Sequence, residues 1–341
     1  MRLSRSLRGD RLVNILGDII VLLVNGLQQG AIYVLLAIGL SIILGTLRFV
    51  NFAHGALYVI GAYAGLLIAQ EISVSNGKLA DWGYQTIGLD LGFLPALVFV
   101  PVFVFVVGLA MERYVARPFY DRPDTDQILV TFGLAIVVQE ALHALVGGRS
   151  YKLVIPPEAL GVIPLSGPTD IPFTAVSLGL WRLWVIVITA ILVLAVYAIV
   201  EYTDFGLVVK AGTRDPEMVR LLGIKITRPY IVMFGIGAAL AGVAGVVGAP
   251  LSNINPEIGM SILVPAFLTV VIGGVGSIRG AVLGGTLIGM VQVALISLGS
   301  VSLLGITVNW TPWAQVGIYV LAVVVLLTRP QGLLGEEEVA A

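Results

Sequence analysis

The sequence predicts an all-α, polytopic integral membrane protein of about eight to ten transmembrane helices. Three observations carry this. Of the 341 residues, 58% are hydrophobic and 11% charged, whereas soluble domains run near a quarter charged. Apolar blocks approaching the ~20 residues that cross a bilayer recur along the whole chain. Lysine and arginine gather in some polar stretches and are sparse in others, which sets an orientation. The 41 glycines fit closely packed membrane helices. The chain has no cysteine, which excludes disulfides and thiolate metal sites. A net charge of −1 gives no ground for a nucleic-acid partner.

The first apolar stretch, 12–47, reads as two short passes, 12–27 and 30–47. They turn at Asn25-Gly26…Gln28-Gln29-Gly30. The alternative is a surface-lying N-terminal helix with fewer crossings. No small-x-small site closes the run before Asn25, so a signal peptide is set aside. Further apolar segments follow at 50–69, 93–111, 128–146, 184–202, 230–249, 259–274, 280–299 and 312–328. Arg2, Arg5, Arg8 and Arg11 mark the start as cytoplasmic. Arg113, Arg117 and Arg122 mark the segment after 93–111, and Lys210, Arg214, Arg220, Lys225 and Arg228 mark the loop 203–228. Segments 70–92 and 147–183 are poorer in basic residues and face outward, where Trp181, Trp184, Trp310 and Trp313 serve as interfacial anchors. The tail with Glu336-Glu337-Glu338 is then cytoplasmic, so both termini lie inside. No polar stretch is large enough to fold alone, and residues 1–341 read as one transmembrane domain.

The loop 203–228 carries its own punctuation. Asp215 is placed as an N-cap, Pro216 at the first helical position, Glu217 in the first turn and Gly223 at the end. Met218, Leu221 and Leu222 fall on one side. About two turns of helix are not stable alone in water. The loop therefore reads as a coupling segment that docks on a soluble motor.

A weak internal repeat pairs His54-Gly55-Ala56-Leu57 with Arg279-Gly280-Ala281-Val282. Irregular stretches precede both copies: Arg48 to Ala53, and Gly273-Gly274-Val275-Gly276-Ser277. Paired interruptions point to a transporter's central site, and freed backbone is tolerated at depth only where protein or water satisfies it. Ordinary loops beside glycine-rich packing are the other reading. Asn51 and His54 lie three apart and share a face on a helical start. They either line a solute path or satisfy backbone at a break. Glu140 and His143 read as a pair near water, and Gln292 as glue between helices.

No P-loop, dinucleotide fingerprint or H-E-x-x-H occurs. Two histidines are too few for a histidine-built metal site, and Ser277 has no nearby base. No catalytic residue, metal site or cofactor is expected, and the chain is not read as an enzyme.

Several strings taken together resemble one family. They are Asn25-Gly26…Gly30-Ala31-Ile32-Tyr33…Ala37-Ile38-Gly39, Val50-Asn51-Phe52-Ala53-His54-Gly55, and Glu112-Arg113…Arg117-Pro118. Ala211…Asp215…Met218…Leu221-Leu222-Gly223-Ile224, Asn255-Pro256…Gly259, and Gly273 through Ala281 follow in order. This resembles the bacterial branched-chain amino acid importer permeases, with the urea-importer permeases as near relatives. The resemblance implies an inner-membrane subunit of an ATP-binding-cassette importer. It implies two cytoplasmic ATPase subunits, a second related permease and an extracytoplasmic solute-binding protein as partners. It places ATPase coupling on Arg214, Asp215, Pro216, Glu217, Met218, Leu221, Leu222 and Gly223. A translocation path for a small polar solute is expected along Asn51, His54, Gly55, Gly273, Gly274, Gly276, Ser277 and Gly280. Two departures stand out: Ala56 where the family often has Glu, and Arg279 where Pro is common. Without an acid at 56, the solute stays open among neutral amino acids, short amides and urea. An ion-coupled carrier working alone is the reading from another class.

Overall fold

The computed structural model describes residues 3–155, 162–164, 177–303 and 306–335. Helix α1 spans Leu3–Leu47 and α2 His54–Ala69. Strand β1 (Ile72–Ser73), α3 (Lys78–Asp81) and β2 (Thr86–Ile87) lead into α4, Phe93–Met111. A π-helical turn, Glu112–Ala116, and a 3-10 turn, Arg117–Phe119, join α4 to α5, Asp124–Val146. Strands β3 (Val162–Pro164) and β4 (Ser177–Gly179) precede α6, Leu180–Tyr202. Then come α7 (Asp204–Arg214), α8 (Pro216–Leu221), α9 (Thr227–Gly248), α10 (Ile258–Gly273) and α11 (Ile278–Leu298). Strands β5 (Ser300–Leu303) and β6 (Ile306–Asn309) precede α12, Trp313–Thr328. The strands form three two-stranded antiparallel hairpins. All three hairpins lie at one end of the helix bundle, the hairpin end. Arg113, Arg117, Arg122 and the 203–228 loop lie at the other, the basic end.

Among the described residues, six helices are long and apolar enough to cross a membrane, and His54–Ala69, Ile258–Gly273 and Trp313–Thr328 are shorter apolar helices. In the apolar stretches of α1 and α9, 78% of residues are buried inside the molecule, against 11% in α5 and 17% in α6. So α1 and α9 form the centre, with α2, α4, α10 and α11 packed around them, while α5 and α6 expose most of their surface to the surroundings.

The expected two passes over 12–47 are one continuous helix. The glycines read as a turn serve instead as packing surface. A Cβ on Gly30 would lie 2.8 Å from Gly285 O, and one on Gly26 2.5 Å from Met290 Sδ, so both hold α1 against α11. Tyr33 OH donates to Gln292 Oε1 at 2.7 Å across the same contact, giving Gln292 the interhelical role expected of it. From Gly17 to Leu47 the chain crosses once. Asn25 is hydrogen-bonded to Arg182 near the start of α6 at the hairpin end, and Gly45 meets Gly276 at the basic end. The described C-terminal residues also sit at the basic end, where Leu334 N donates to Gly273 O. The described start of α1 and the last described residues therefore lie at opposite ends of the bundle; Arg2 and Glu336-Glu337-Glu338 lie outside the described residues.

Close approach at glycine sets the interhelical distances. A Cβ on Gly61 of α2 would lie 2.5 Å from Gly242 Cα of α9, with backbone and not a flexible side chain in the way. Gly61→Val should therefore lower the melting temperature in detergent, overpacking being worth about 1–3 kcal/mol or more. Gly133→Ala, with nothing within 4 Å, should leave the melting temperature unchanged or raise it.

Candidate functional site

Residues 48–53 leave the end of α1 with Arg48 at φ 50° and climb back into the bundle. They start α2 deep inside it. His54 Nε2 donates to Leu36 O at 3.1 Å. Leu36 lies eleven residues before the end of α1, about 16 Å along the axis, so α2 begins near mid-depth. Segment 48–53 has no ladder or helix of its own, yet its backbone is answered. Gln127 Oε1 accepts Val50 N–H at 3.0 Å, and Thr131 Oγ1 accepts Phe52 N–H at 3.0 Å. Both partners are on α5 and buried. Asn51 and His54 are 0% exposed. Both side-chain polar atoms of Asn51, and Nδ1 of His54, have no protein partner.

A second break matches the first from the opposite end. After α9 the chain turns back at the hairpin end, and Ile254 pairs with Tyr151 through two backbone bonds of 2.9 and 2.7 Å. Helix α10 then starts inside the bundle. The two starts share a pattern, Asn51-x-x-x-Gly55 and Asn255-x-x-x-Gly259. In both, the Asn carbonyl accepts the N–H three residues on, His54 at 3.4 Å and Ile258 at 3.3 Å. The glycines touch: a Cβ on Gly259 would lie 2.6 Å from Gly55 O. Asn255 Oδ1, like the Asn51 amide, is buried without a partner. A small recess beside this contact is lined by Ala56, Ala135, Gln139, Pro256 and Gly259, among others.

The repeat read from sequence therefore pairs differently in space. Gly273, Gly274, Gly276, Ser277 and Gly280 form the tight α10–α11 turn at the basic end, the length of α10 away from Gly259, about 22 Å. Gly274 and Gly276 adopt φ +102° and +78°, which favour glycine. Ser277 Oγ caps α11 by accepting Gly280 N–H at 3.0 Å. Leu333 N–H and Leu334 N–H close the end of α10 on Ile272 O and Gly273 O. The structure brings Asn51, His54 and Gly55 together but not with this second group. Glu140 and His143 are both exposed and form no ion pair. Gln127, Thr131 and the pairing of Asn255 with Asn51 escaped the sequence reading. The repeated Asn-x-x-x-Gly spacing and two polar residues four apart in an apolar block were the available signals.

At the basic end a buried charge anchors the α4–α5 connection. The Glu112 carboxylate, 0% exposed, accepts Arg117 Nε and Nη2 at 3.2 and 3.0 Å and Tyr120 OH at 3.1 Å. Burial, then the adjacent Glu112 carboxylate, push the Tyr120 phenol well above its usual value, so it remains a donor at physiological pH. Its ring meets Phe49 edge-on at 5.7 Å, directly beneath the break.

In the 203–228 loop, Thr203 Oγ1 accepts Gly206 N–H at 3.2 Å to cap α7, and Asp215 Oδ1 accepts Met218 N–H at 2.8 Å to cap α8. Gly223 ends α8 at φ +79°. Val219 faces inward, while Met218, Leu221 and Leu222 are 53%, 76% and 70% exposed. Glu217 is exposed; the side chains of Arg214 and Pro216 lie outside the described residues.

Two interrupted helices meeting at mid-depth, inside a bundle of apolar helices with a capped apolar helix at one end, define a polytopic membrane permease. The chain belongs to the family of branched-chain amino acid transport system permease components, which it matches over residues 22–327. It is 31% identical over 316 residues to the high-affinity branched-chain amino acid transport system permease protein LivH of Escherichia coli strain K12, covering 92% of this chain and 95% of that protein. The corresponding BraD of Pseudomonas aeruginosa is 30% identical over 320 residues, 93% and 96% of the two chains. The fructose import permease protein FrcC of Rhizobium meliloti is 28% identical over 145 residues, 41% of this chain and 39% of that protein. No solved structure matches the chain.

Arg117→Met leaves the Glu112 carboxylate buried without its cation, a loss of about 3–5 kcal/mol. The single variant should melt well below the parent, and Glu112→Gln in the same chain should recover most of the difference in a double-mutant cycle.

Proposed function

We propose that this chain is the membrane permease of an ATP-binding-cassette importer for branched-chain and other neutral amino acids. It works in the inner membrane of a bacterium with two cytoplasmic ATPases, a second related permease and an extracytoplasmic binding protein. The basic end faces the cytoplasm, in line with the positive-inside rule. Residues 203–228 form the coupling loop of a single transmembrane domain. One observation carries the reading: α8 presents Met218, Leu221 and Leu222 to solvent at the basic end, on a helix capped at both ends and too short to exist for itself. An apolar patch of this kind fits a cleft on a soluble partner.

Transport is by alternating access. ATP closes the ATPases, the clefts carry α8, and the helices rearrange about the two central breaks. The loop must contact its partner differently in the two states, or nucleotide could not shift the equilibrium. Asn51, His54 and Gly55 line the solute path at mid-depth, and the Gly273–Gly280 turn bounds it at the cytoplasmic side. The absence of an acid at Ala56 fits a solute recognised by other contacts, with short amides and urea as the competing substrates.

Two ATPases and a second permease should co-purify from mild detergent, and labelled leucine should be taken up by the reconstituted complex only with ATP and binding protein. Uptake by the chain alone without ATP would sink the reading in favour of an ion-coupled carrier. Leu222→Asp, or Gly223→Val against φ +79°, should cut uptake about tenfold or more through loss of an apolar anchor, with the membrane domain still folded. Normal transport by these variants with ATPases bound would remove α8 as the coupling element.

A further inference from the structure

Helix α5 is the least embedded of the long helices, and the few residues it does bury are informative. Gln127, Thr131 and Ala135 are buried at intervals of four, one narrow stripe facing the first break. Gln127 is a three-way junction. Its Oε1 accepts Val50 N–H, while Nε2 donates to Phe119 O at 3.3 Å and Arg122 O at 3.1 Å, both in the α4–α5 connection at the basic end. Thr131 Oγ1 accepts Phe52 N–H and donates to its own helix at Gln127 O, 2.7 Å away. Ala135, one turn further, lines the recess at the first turn of α2 together with Ala56.

We propose that α5 carries the segment 48–53 through the transport cycle, with Gln127 and Thr131 as positioning residues that clamp its backbone. The inference rests on the reading that this break lies on the solute path. The physical reason is that, among the described residues, the N–H groups of Val50 and Phe52 have no acceptor besides Gln127 and Thr131. If α5 shifted and the break stayed, two buried donors would be orphaned, so the arrangement that keeps both satisfied moves the two together. Gln127 also ties that unit to Phe119 and Arg122, so displacement of the cytoplasmic connection is passed through one side chain to the foot of the segment that climbs to mid-depth.

The chain contains no cysteine, so a single Ala56→Cys reports accessibility at the start of α2 by mass spectrometry of this subunit. In the assembled complex, labelling of that position by a small maleimide should change on adding ATP with vanadate. Thr131→Val, which keeps the shape and removes the acceptor, should reduce that nucleotide-dependent change and leucine uptake about tenfold, the scale of one lost buried hydrogen bond. Thr131→Ser should restore both, which a packing defect would not allow, and Gln127→Leu should act at least as strongly as Thr131→Val. Labelling in the parent that ignores nucleotide would overturn the proposal. So would Thr131→Val and Gln127→Leu complexes that assemble and behave as the parent. A parent that shows nucleotide-dependent labelling yet takes up no amino acid would fault the substrate assignment and leave the clamp standing.

Discussion

Every backbone donor and acceptor inside a bilayer must find a partner within the protein, and a helix that stops at mid-depth breaks the simplest way of doing so. The two interrupted crossings are therefore the points on which the arrangement of the other elements depends. Val50 and Phe52 N–H are answered by Gln127 and Thr131, which fixes α5 beside the first break. Ile254 is answered by Tyr151, which brings the 147–155 segment across the hairpin end to hold the second. The terminal carbonyls of α10 are answered by Leu333 and Leu334, which folds the C-terminal segment under the α10–α11 turn. Helix α5, the 147–155 segment that follows it and the C-terminal segment occupy their places because they serve interrupted backbone.

Glycine supplies the complementary half of the architecture. Lipid offers no hydrophobic drive for helices to associate, so close van der Waals contact has to do it. Gly39 lies against Gly237, Gly55 against Gly259, Gly61 against Gly242, and Gly30 against Gly285 and Gly289. Each pair lets two backbones approach where a side chain would hold them apart. The high glycine count is thus distributed contact surface between α1, α2, α9, α10 and α11, and these helices interlock too closely for one to slide past another without collision.

The class of fold was legible because hydropathy and length speak directly to the bilayer, and the α8 caps were legible because capping is local: Asp215 bonds the residue three ahead of it. What failed was the reading of features whose role depends on which particular element packs against them across space. Gly26 and Gly30 beside Gln28 and Gln29 look like a turn in sequence, and only the presence of α11 shows them to be a packing face. The repeat was drawn from matching Gly-Ala strings, whereas the geometry pairs Asn51 and Gly55 with Asn255 and Gly259. Nothing local says which of two glycines will touch a third. Gln127 was invisible for the same reason, since an acceptor for an unpaired N–H seventy-seven residues away cannot be read from its own neighbourhood.

The uneven embedding of the helices bears on how such a bundle can work. A permease that alternates between two arrangements needs elements that stay and elements that move, and packed interiors resist continuous deformation. Helices α1 and α9 are locked on several sides by glycine contacts and constitute the frame. Helix α5 meets α2 and the first break along one stripe, leaves Leu129, Phe132, Ile136 and Val137 exposed, and yet holds the backbone of that break. An element with few contacts shifts at small cost, and what it grips at the break shifts with it. Rigidity around the breaks and freedom in the helix that clamps the first of them follow from one distribution of buried polar groups.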